Sequence, residues 1–504
     1  MKKHLLVTGG SGYVGRHLIK ELLSLGHQVS AISRNGLTPA GVAPHINLNW
    51  FFGDIHELNF GLTNENIQYF LKQKPNILIH CAGLTRFDER LKASLLRTNF
   101  EGTKNAYALG KRIEIEHFYH ISTAFVAGQY SSVFNSDDLD LGQTFRNPYE
   151  YSKFLAEEFL HNESQSGDIC IQIYRPGIIV GGDLRNMTLP SGTVYAYLKS
   201  LLFLKSCALK DAALKSTWKK LFDAEHMGNA VWKIPLRIVA NPDTELNLVL
   251  IDDIVHHITN QIDVDDNVFG IKHVLGPINI KFSDIKNAFC EAAQIEGVEF
   301  VDQSDLLQTP RNKLESKFQR FTSTYDNYLT SQPKFNLIEH AHNQIPALAD
   351  IAKEYIQAYD QQVLDNGQTL IDQALDAIDI RDAKDYLDHL TQKNIGDGLL
   401  KSIDYVNVDI GFRVYGETEL LRHICFRQGE ISEIAIDIRK PDCVYEMTEH
   451  EFRLIVRGVL DPREAFFSGQ IKILGDQAIG LKFGYALAEY FRNSTDAVLA
   501  EMWD

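Results

Sequence analysis

Short apolar runs alternate with amphipathic stretches over the first 280 residues. Leu5-Leu6-Val7 reads as a buried strand, and a glycine-rich turn follows before Leu18, Leu22 and Leu25 recur at helical spacing. Gln28 to Ile32 and Ile77 to Ile79 are further strand-like runs, the latter ending in His80-Cys81-Ala82-Gly83. Strand, turn and helix in repetition predict an α/β fold with a Rossmann-type doubly wound parallel sheet. From Phe282 to Phe335 the pattern predicts a helical cap, with Phe321, Tyr325, Tyr328 and Leu329 at helical spacing. Residues 337–398 interleave acids (Asp372, Asp376, Asp379, Asp382, Asp385, Asp388) with apolar positions such as Leu370, Ile371, Leu375, Ile378, Ile380 and Leu387, a helical segment with a solvated acidic face. The last hundred residues change period. Ile431, Ile434, Ile436 and Ile438 alternate in part, Ile471 and Ile473 again, and Thr448-x-x-Glu451 is a capping box before Phe452, Leu454, Ile455 and Val456. An independent α+β domain is expected there, giving four segments: 1–280, 281–335, 336–398 and 399–504.

A chain of 504 residues is too long for one core, which agrees with that division. Its 44% hydrophobic and 23% charged residues are those of an ordinary globular protein. Fifty basic against 66 acidic residues leave a formal charge of −16, so a broad footprint for nucleic acid is missing. Six scattered cysteines with no C-x-x-C pair suggest neither a zinc site nor a disulfide framework, and no metal is expected. The run His4 to Val7 leaves no room for a secretion leader, and Lys199 and Lys205 interrupt the most apolar later stretch, Val194 to Leu209. A cytoplasmic protein is expected, with attachment to a membrane surface left open.

The glycine-rich turn is Thr8-Gly9-Gly10-Ser11-Gly12-Tyr13-Val14-Gly15. Between a strand and a helix, Gly9, Gly12 and Gly15 permit a tight turn, a close approach to pyrophosphate and helix–strand packing, while the helix N-terminus offers N–H groups to phosphate. The second strand ends in Ser33-Arg34, where an acid would hold the ribose hydroxyls of NAD; Arg34 instead suits a 2′-phosphate, and NADPH is the expected cofactor. Asp54 and Ile55, where the third strand should end, are candidates for adenine contact. Cys81, Ala82 and Gly83 are small enough for backbone to lie against the cofactor, and His80 reads as a core histidine.

The turn at 8–15, His80-Cys-Ala-Gly83, Asn99 in Thr-Asn-Phe-Glu-Gly-Thr, Ser122-Thr123-Ala-Phe-Val-Ala-Gly128, Tyr149-x-x-x-Lys153 and Arg175-Pro176-Gly177 come in the order of an extended short-chain dehydrogenase/reductase, which the chain resembles. Asn147-Pro-Tyr-Glu-Tyr-Ser-Lys153 and Leu246-Asn-Leu-Val-Leu-Ile-Asp-Asp253 are similar to the branch of fatty acyl-CoA reductases and thioester-reductase domains. Hydride arriving at a carbonyl carbon puts charge on its oxygen, so a proton donor and a second hydrogen bond must face that oxygen. Tyr149 is the donor and Thr123 the second group. Lys153, one turn along the same face, is expected to favour the phenolate. The resemblance implies that Lys153 also holds the nicotinamide ribose and that Asn99 supports a relay water. Threonine at 123 departs from the more common serine. Pro176 is placed beside the nicotinamide, with an ordinary strand-end turn as the other reading of Arg175-Pro176-Gly177.

Phe125, Lys199 and Lys205 are the candidate substrate contacts. Lys199, Lys205, Lys210, Lys215, Lys219 and Lys220 recur through an apolar stretch with Tyr197, Leu201, Leu202, Phe203 and Trp218, either steering CoA phosphates or an acidic carrier protein, or forming a solvated helix face. Met447 to Phe452, followed by Gly458 to Asp476, resembles the sterol carrier protein type two domain, which implies a tunnel for lipid or sterol. Asp461 would cap a helix from Pro462, and Phe452, Leu460, Phe466, Phe467 and Leu481 are either tunnel walls or core. The expected function is NADPH-dependent reduction of a fatty acyl thioester, on CoA or acyl carrier protein, to aldehyde or alcohol. An oxidoreductase for a sterol or lipid ketone and a non-catalytic NADPH-sensing lipid-transfer protein are the alternatives; a homodimer is left open.

Overall fold

The computed structural model describes residues 2–34, 36, 38–39, 42–184, 189–190, 192–213, 225–228, 231–262, 268–329, 332–340, 342–360, 407–416, 419–427, 430–435, 440–456, 460, 462–467, 469–481 and 483–484. Two compact units divide it: Met1–Asp211 with Trp218–Tyr359, and Asp360–Asp504 with Ala212–Thr217. Lys215, Lys219, Lys220, Trp218, Asp461, Ile436, Ile438 and the acids from 372 to 388 lie outside the described residues.

The first unit is built on strands β1 (His4–Thr8), β2 (Gln28–Ser33), β3 (Leu48–Phe52), β4 (Ile77–His80), β5 (His117–Ile121) and β6 (Cys170–Pro176), with β11 (Gly270–Val274) at the far edge. Their order is β11-β6-β5-β4-β1-β2-β3, and every pairing is parallel. Strands β1, β4 and β5 are buried along their whole length, which is why Leu5 to Val7 and Ile77 to Ile79 read as unbroken apolar runs. Helix α1 (Tyr13–Ser24) packs Leu18 and Leu22 on one face beside Ile254 and Ile258 of the helix Ile251–Ile262. On the other face lie α2 (Asn64–Gln73), α4 (Gly102–Arg112) and α5 (Pro148–Ser164), around Phe70, Leu109 and Leu160. Between β4 and α4 come α3 (Lys92–Leu95) and one π-helical turn, Leu96–Glu101.

The same unit adds β7 (Ile178–Val180), α6 (Val194–Ala213), β8 (Glu225–Gly228), β9 (Val231–Val239), β10 (Glu245–Leu250) and β12 (Asn279–Lys281). Residues 282–335, read as all helix, contain a strand as well. The helix Phe282–Ala293 is followed by β13 (Ile295–Val301), which pairs in parallel with β9, and only then by the helices Gln303–Gln308 and Lys313–Thr322. The reason is tertiary: β9 presents Trp232, Ile234, Leu236 and Ile238 to the core and needs a partner on its open side.

In the second unit β14 (Val408–Tyr415), β15 (Glu419–Arg427), β16 (Glu430–Ala435), β17 (Cys443–Thr448) and β18 (Lys472–Gly475) form one sheet in the order β16-β15-β14-β17-β18. Thr448 and Glu451 make the capping box at the helix Glu449–Val456. Ile410, Phe412, Val414, Tyr445 and Phe452 form the core; Leu460, Phe466 and Leu481 pack against it, whereas Phe467 is 58% exposed.

Candidate active site

Gly9 sits at φ +67°, a left-handed backbone, and a Cβ there would lie 2.5 Å from the Ala82 nitrogen. A Cβ at Gly15 would stand 2.3 Å from the Gly9 carbonyl oxygen, so α1 can close on the turn only with glycine there. Gly12 is the N-cap of α1 without a side-chain cap, the first turn holds no acid, and a methyl at Gly12 would meet only the Gly9 oxygen, at 3.2 Å. A dinucleotide's pyrophosphate fits this open, uncapped N-terminus. Ser11 and Val14 flank it. Tyr13 is turned away, its hydroxyl donating to the Gly181 carbonyl and its ring edge-on to His17.

Arg34 is exposed at the end of β2, next to the buried Ser33. Asp54, just past β3, accepts the His56 N–H at 3.0 Å and pairs with its Nδ1 at 2.9 Å, while Ile55 packs on Gly102 of α4. Thr8 Oγ1 and His80 Nδ1 are 2.8 Å apart. Burial, with the nearby Lys153 charge, lowers the His80 imidazole to about 3, so it is a neutral core group. Burial raises the Cys81 thiol to about 12. Ala82 and Gly83 follow, and a Cβ at Gly83 would lie 3.3 Å from Asn99 Oδ1 and 3.7 Å from Lys153 Nζ. Pro176 ends β6 opposite Val274.

Tyr149 and Lys153 lie in the first turns of α5, whose start is fixed by the Asn147 side chain accepting from the Glu150 N–H at 3.1 Å. The Tyr149 phenol hydrogen-bonds to Thr123, expected from the sequence as a second group facing the substrate oxygen, and to Thr85, which the sequence does not anticipate. Thr85 follows the small residues after β4; its only signal is a hydroxyl two residues beyond Gly83. Burial raises the Tyr149 phenol to about 12, against the pull of its two threonine hydrogen bonds. The expectation that Lys153 makes a phenolate is therefore corrected: desolvation dominates, and Tyr149 is a protonated donor at neutral pH. Lys153, lowered to about 8 by burial, donates from Nζ to the Ile121 carbonyl at 2.7 Å.

Asn99 sits in the π-turn. Its Nδ2 donates to the Leu84 carbonyl at 3.0 Å and to Ser152 Oγ at 2.9 Å, and its Oδ1 accepts the Leu84 N–H at 2.7 Å. Both amide hydrogens are engaged, so Asn99 clamps the β4 exit to α5, and a relay water would find only the second lone pair of Oδ1. Arg175 does not enter the cleft: its guanidinium pairs with Glu157, both side chains fully buried, at 2.6 Å.

Phe87 lies against Tyr149, ring centroids 5.4 Å apart, and against Tyr325 and Tyr328 at 5.0 and 5.1 Å. Phe87, Tyr325 and Tyr328, with Phe125, Ile178 and Leu246, line an apolar cavity of about 30 Å³. Phe125 thus falls where a substrate contact is expected. The Tyr328 hydroxyl donates to Glu150 Oε1 at 2.5 Å and accepts from Asn147 Nδ2 at 2.6 Å, so a residue of the segment read as a cap is bolted to the start of α5. Lys199 is exposed on α6. Lys205 is not available to a phosphate as expected, because its ammonium donates to the Ala293 carbonyl at 2.6 Å, at a helix C-terminus that attracts cations.

Residues 45–218 match the family described as male sterility protein, and residues 413–488 the SCP-2 sterol transfer family. Among curated proteins, a 3-beta-hydroxysteroid dehydrogenase of Mycolicibacterium neoaurum is 29% identical over 36% of this chain and 48% of its own. Fatty acyl-CoA reductase 2 of Mus musculus is 24% identical over 40% and 49%, and an NRPS-like oxidoreductase of Fusarium equiseti 26% identical over 40% and 20%. The chain spans about half the length, or less, of these relatives. The terminal R domain of the myxalamid PKS-NRPS pathway superposes at TM-score 0.55 with 15% identity, covering 72% of this chain and 92% of that one, and UDP-glucose 4-epimerase of Thermotoga maritima at 0.50 with 14% identity, covering 71% and 99%. Both share the Rossmann-type fold. No helix among the described residues is long and apolar enough to cross a membrane. The chain thus joins a nucleotide-binding domain of the male sterility protein family to a C-terminal SCP-2 sterol transfer domain.

Proposed function

We propose that the protein is an NADPH-dependent reductase of fatty acyl thioesters, carried on CoA or acyl carrier protein, giving aldehyde or alcohol. The observation that supports this reading is the Tyr149 phenol, hydrogen-bonded to Thr85 and Thr123 and lying against Phe87, whose ring also lines an apolar cavity with Phe125 and Tyr328. The turn Gly9 to Gly15 would hold the pyrophosphate and Arg34 the 2′-phosphate; the nicotinamide, when bound, supplies hydride. Tyr149 donates its proton to the carbonyl oxygen as charge develops there, Thr123 keeps the phenol aimed, and the Lys153 ammonium offsets the negative charge left on the phenolate, which solvent then reprotonates. The apolar rings of Phe87, Phe125 and Tyr328 would pack against the acyl carbons next to the carbonyl and exclude water. In this reading the reductase spans 1–280 with its cap at 281–335, residues up to Tyr359 pack with it rather than forming part of the expected connector, and the domain at 399–504 binds lipid, raising the local concentration of a poorly soluble substrate by tethering. The match to a hydroxysteroid dehydrogenase favours a second reading, reduction of a lipid or sterol ketone by the same groups.

NADPH oxidation with palmitoyl-CoA, an acylated carrier protein and a sterol ketone, in wild type and Tyr149→Phe, separates the readings. Thioester-dependent oxidation lost in the variant is expected. Oxidation at the wild-type rate in Tyr149→Phe would overturn the catalytic assignment, and turnover of the ketone alone would select the second reading. Arg34→Asp is expected to weaken NADPH binding; an unchanged preference for NADPH over NADH refutes that role.

A further inference from the structure

We propose that the second unit carries a divalent-metal site of zinc type, formed by Asp409, His423 and Cys425. Asp409 lies on β14, and His423 and Cys425 on β15, where antiparallel register sets Asp409 opposite Cys425 and Gly411 opposite His423. Side chains alternate along a strand, so these three share the face opposite to Ile410, Phe412 and Ile424, which enter the core. One donor atom from each lies within 4.8 Å of the other two. Around zinc, nitrogen, sulfur and oxygen donors at their usual bond lengths stand about 3.5 Å apart, so a contraction of about 1 Å closes the set. Gly411 brings no side chain to the position across from His423.

The chemistry of the donors chooses the ion. Thiolate and imidazole with one carboxylate suit zinc and are poor ligands for magnesium or calcium. Arg427 Nη1 holds Asp409 Oδ1 at 2.5 Å, which leaves Oδ2 to ligate and fixes the carboxylate plane in the manner of an outer-shell partner. Asp442, whose Oδ2 accepts the Asp409 N–H at 2.8 Å, adds a negative charge that offsets the guanidinium. The Cys425 thiol already hydrogen-bonds to Asp409. Metal binding breaks that S–H bond, releases its proton to solvent and forms the metal–sulfur bond, with no change of oxidation state. Three protein ligands leave a fourth position for water or a small ligand. The scattered cysteine spacing gives no hint of the set because two strands supply it.

The test uses the full-length chain, freed of metal with a chelator and titrated with Zn²⁺ and, separately, Co²⁺. One equivalent of zinc per chain is expected to bind with a dissociation constant below about 10 µM, with release of protons and a rise in the melting temperature of the C-terminal transition. Cobalt is expected to give a thiolate charge-transfer band that Cys425→Ser removes and Cys170→Ser keeps, and Asp409→Asn to weaken zinc at least tenfold. Absence of the band in the wild type, or a band of full intensity in Cys425→Ser, overturns the site; unchanged zinc affinity in Asp409→Asn removes the carboxylate from it. Should Cys425→Ser fail to fold, proton release and the melting shift of the wild type decide, and absence of both overturns the proposal.

Discussion

Replacing Arg175 by methionine tests whether the Arg175-Pro176-Gly177 segment serves the cofactor or the fold. Arg175 Nε and Nη2 donate to Glu157 at 2.9 and 2.6 Å, Nη1 donates to the Ser136 carbonyl at 3.0 Å, and the guanidinium lies 5.2 Å from the Phe134 ring centroid. Both side chains are without solvent exposure. Arg175→Met leaves the Glu157 charge and the Ser136 carbonyl without these partners, a loss of about 3–5 kcal/mol. For a unit of this size, at about 2 °C per kcal/mol, the first unit's transition falls by about 6–10 °C. Glu157→Gln alone should cost a similar amount. Arg175→Met with Glu157→Leu exchanges the pair for apolar groups and should recover at least half of the loss, because neither charge is then stranded. Calorimetry and guanidinium unfolding of the three variants measure this, with turnover at low temperature, where the variants are folded, as the second readout. A single variant within about 1 kcal/mol of wild type, additive losses in the pair, or turnover abolished in a stably folded Arg175→Met would each refute a purely structural role.

Lys153 carries its charge below about 8 and loses it above. A reaction that needs the ammonium should hold its rate below that pH and fall above it, and Glu157→Gln should move the fall to lower pH, since the Glu157 charge props the ammonium up; an unmoved alkaline limb in the pH–rate profile contradicts this. In Gly15→Ala the added methyl, 2.3 Å from the Gly9 oxygen, should push α1 off the turn and weaken NADPH binding at least about tenfold by fluorescence titration. Unchanged affinity would detach the turn from the cofactor. Tyr328→Phe keeps the ring in the cavity wall but removes the hydroxyl between Glu150 and Asn147, a loss of about 1–3 kcal/mol. KM for acyl substrate should rise more than kcat falls, and equal effects on both would point to general loosening instead.

The nucleotide-binding half was the most legible, because its chemistry is local: a strand, a turn with glycines three apart and a helix lie within the first 24 residues. Tyr149 and Lys153 were legible for the same reason, one helical turn apart on α5. What escaped were contacts made across the chain. Thr85 reaches Tyr149 from the exit of another strand, and Tyr328 comes to Glu150 over 178 residues. β13 was hidden because its pairing with β9, about sixty residues earlier, decides its conformation. Lys205 read as a free cation because sequence does not reveal that the Ala293 carbonyl lies beside it. The Asp409, His423 and Cys425 cluster needed the register of β14 on β15.

The seventh strand of the parallel sheet, β11, comes from residues 270–274, after β7, α6, β8, β9 and β10. During synthesis, β6, buried from Ile171 to Pro176, has no neighbour on its outer side until the chain has been extended by about a hundred residues. An apolar edge of that kind pairs readily with other chains. The parallel sheet therefore cannot complete itself on the ribosome before residues 177–269 have been made, and a fragment ending before residue 270 should aggregate rather than survive as a free dinucleotide-binding module.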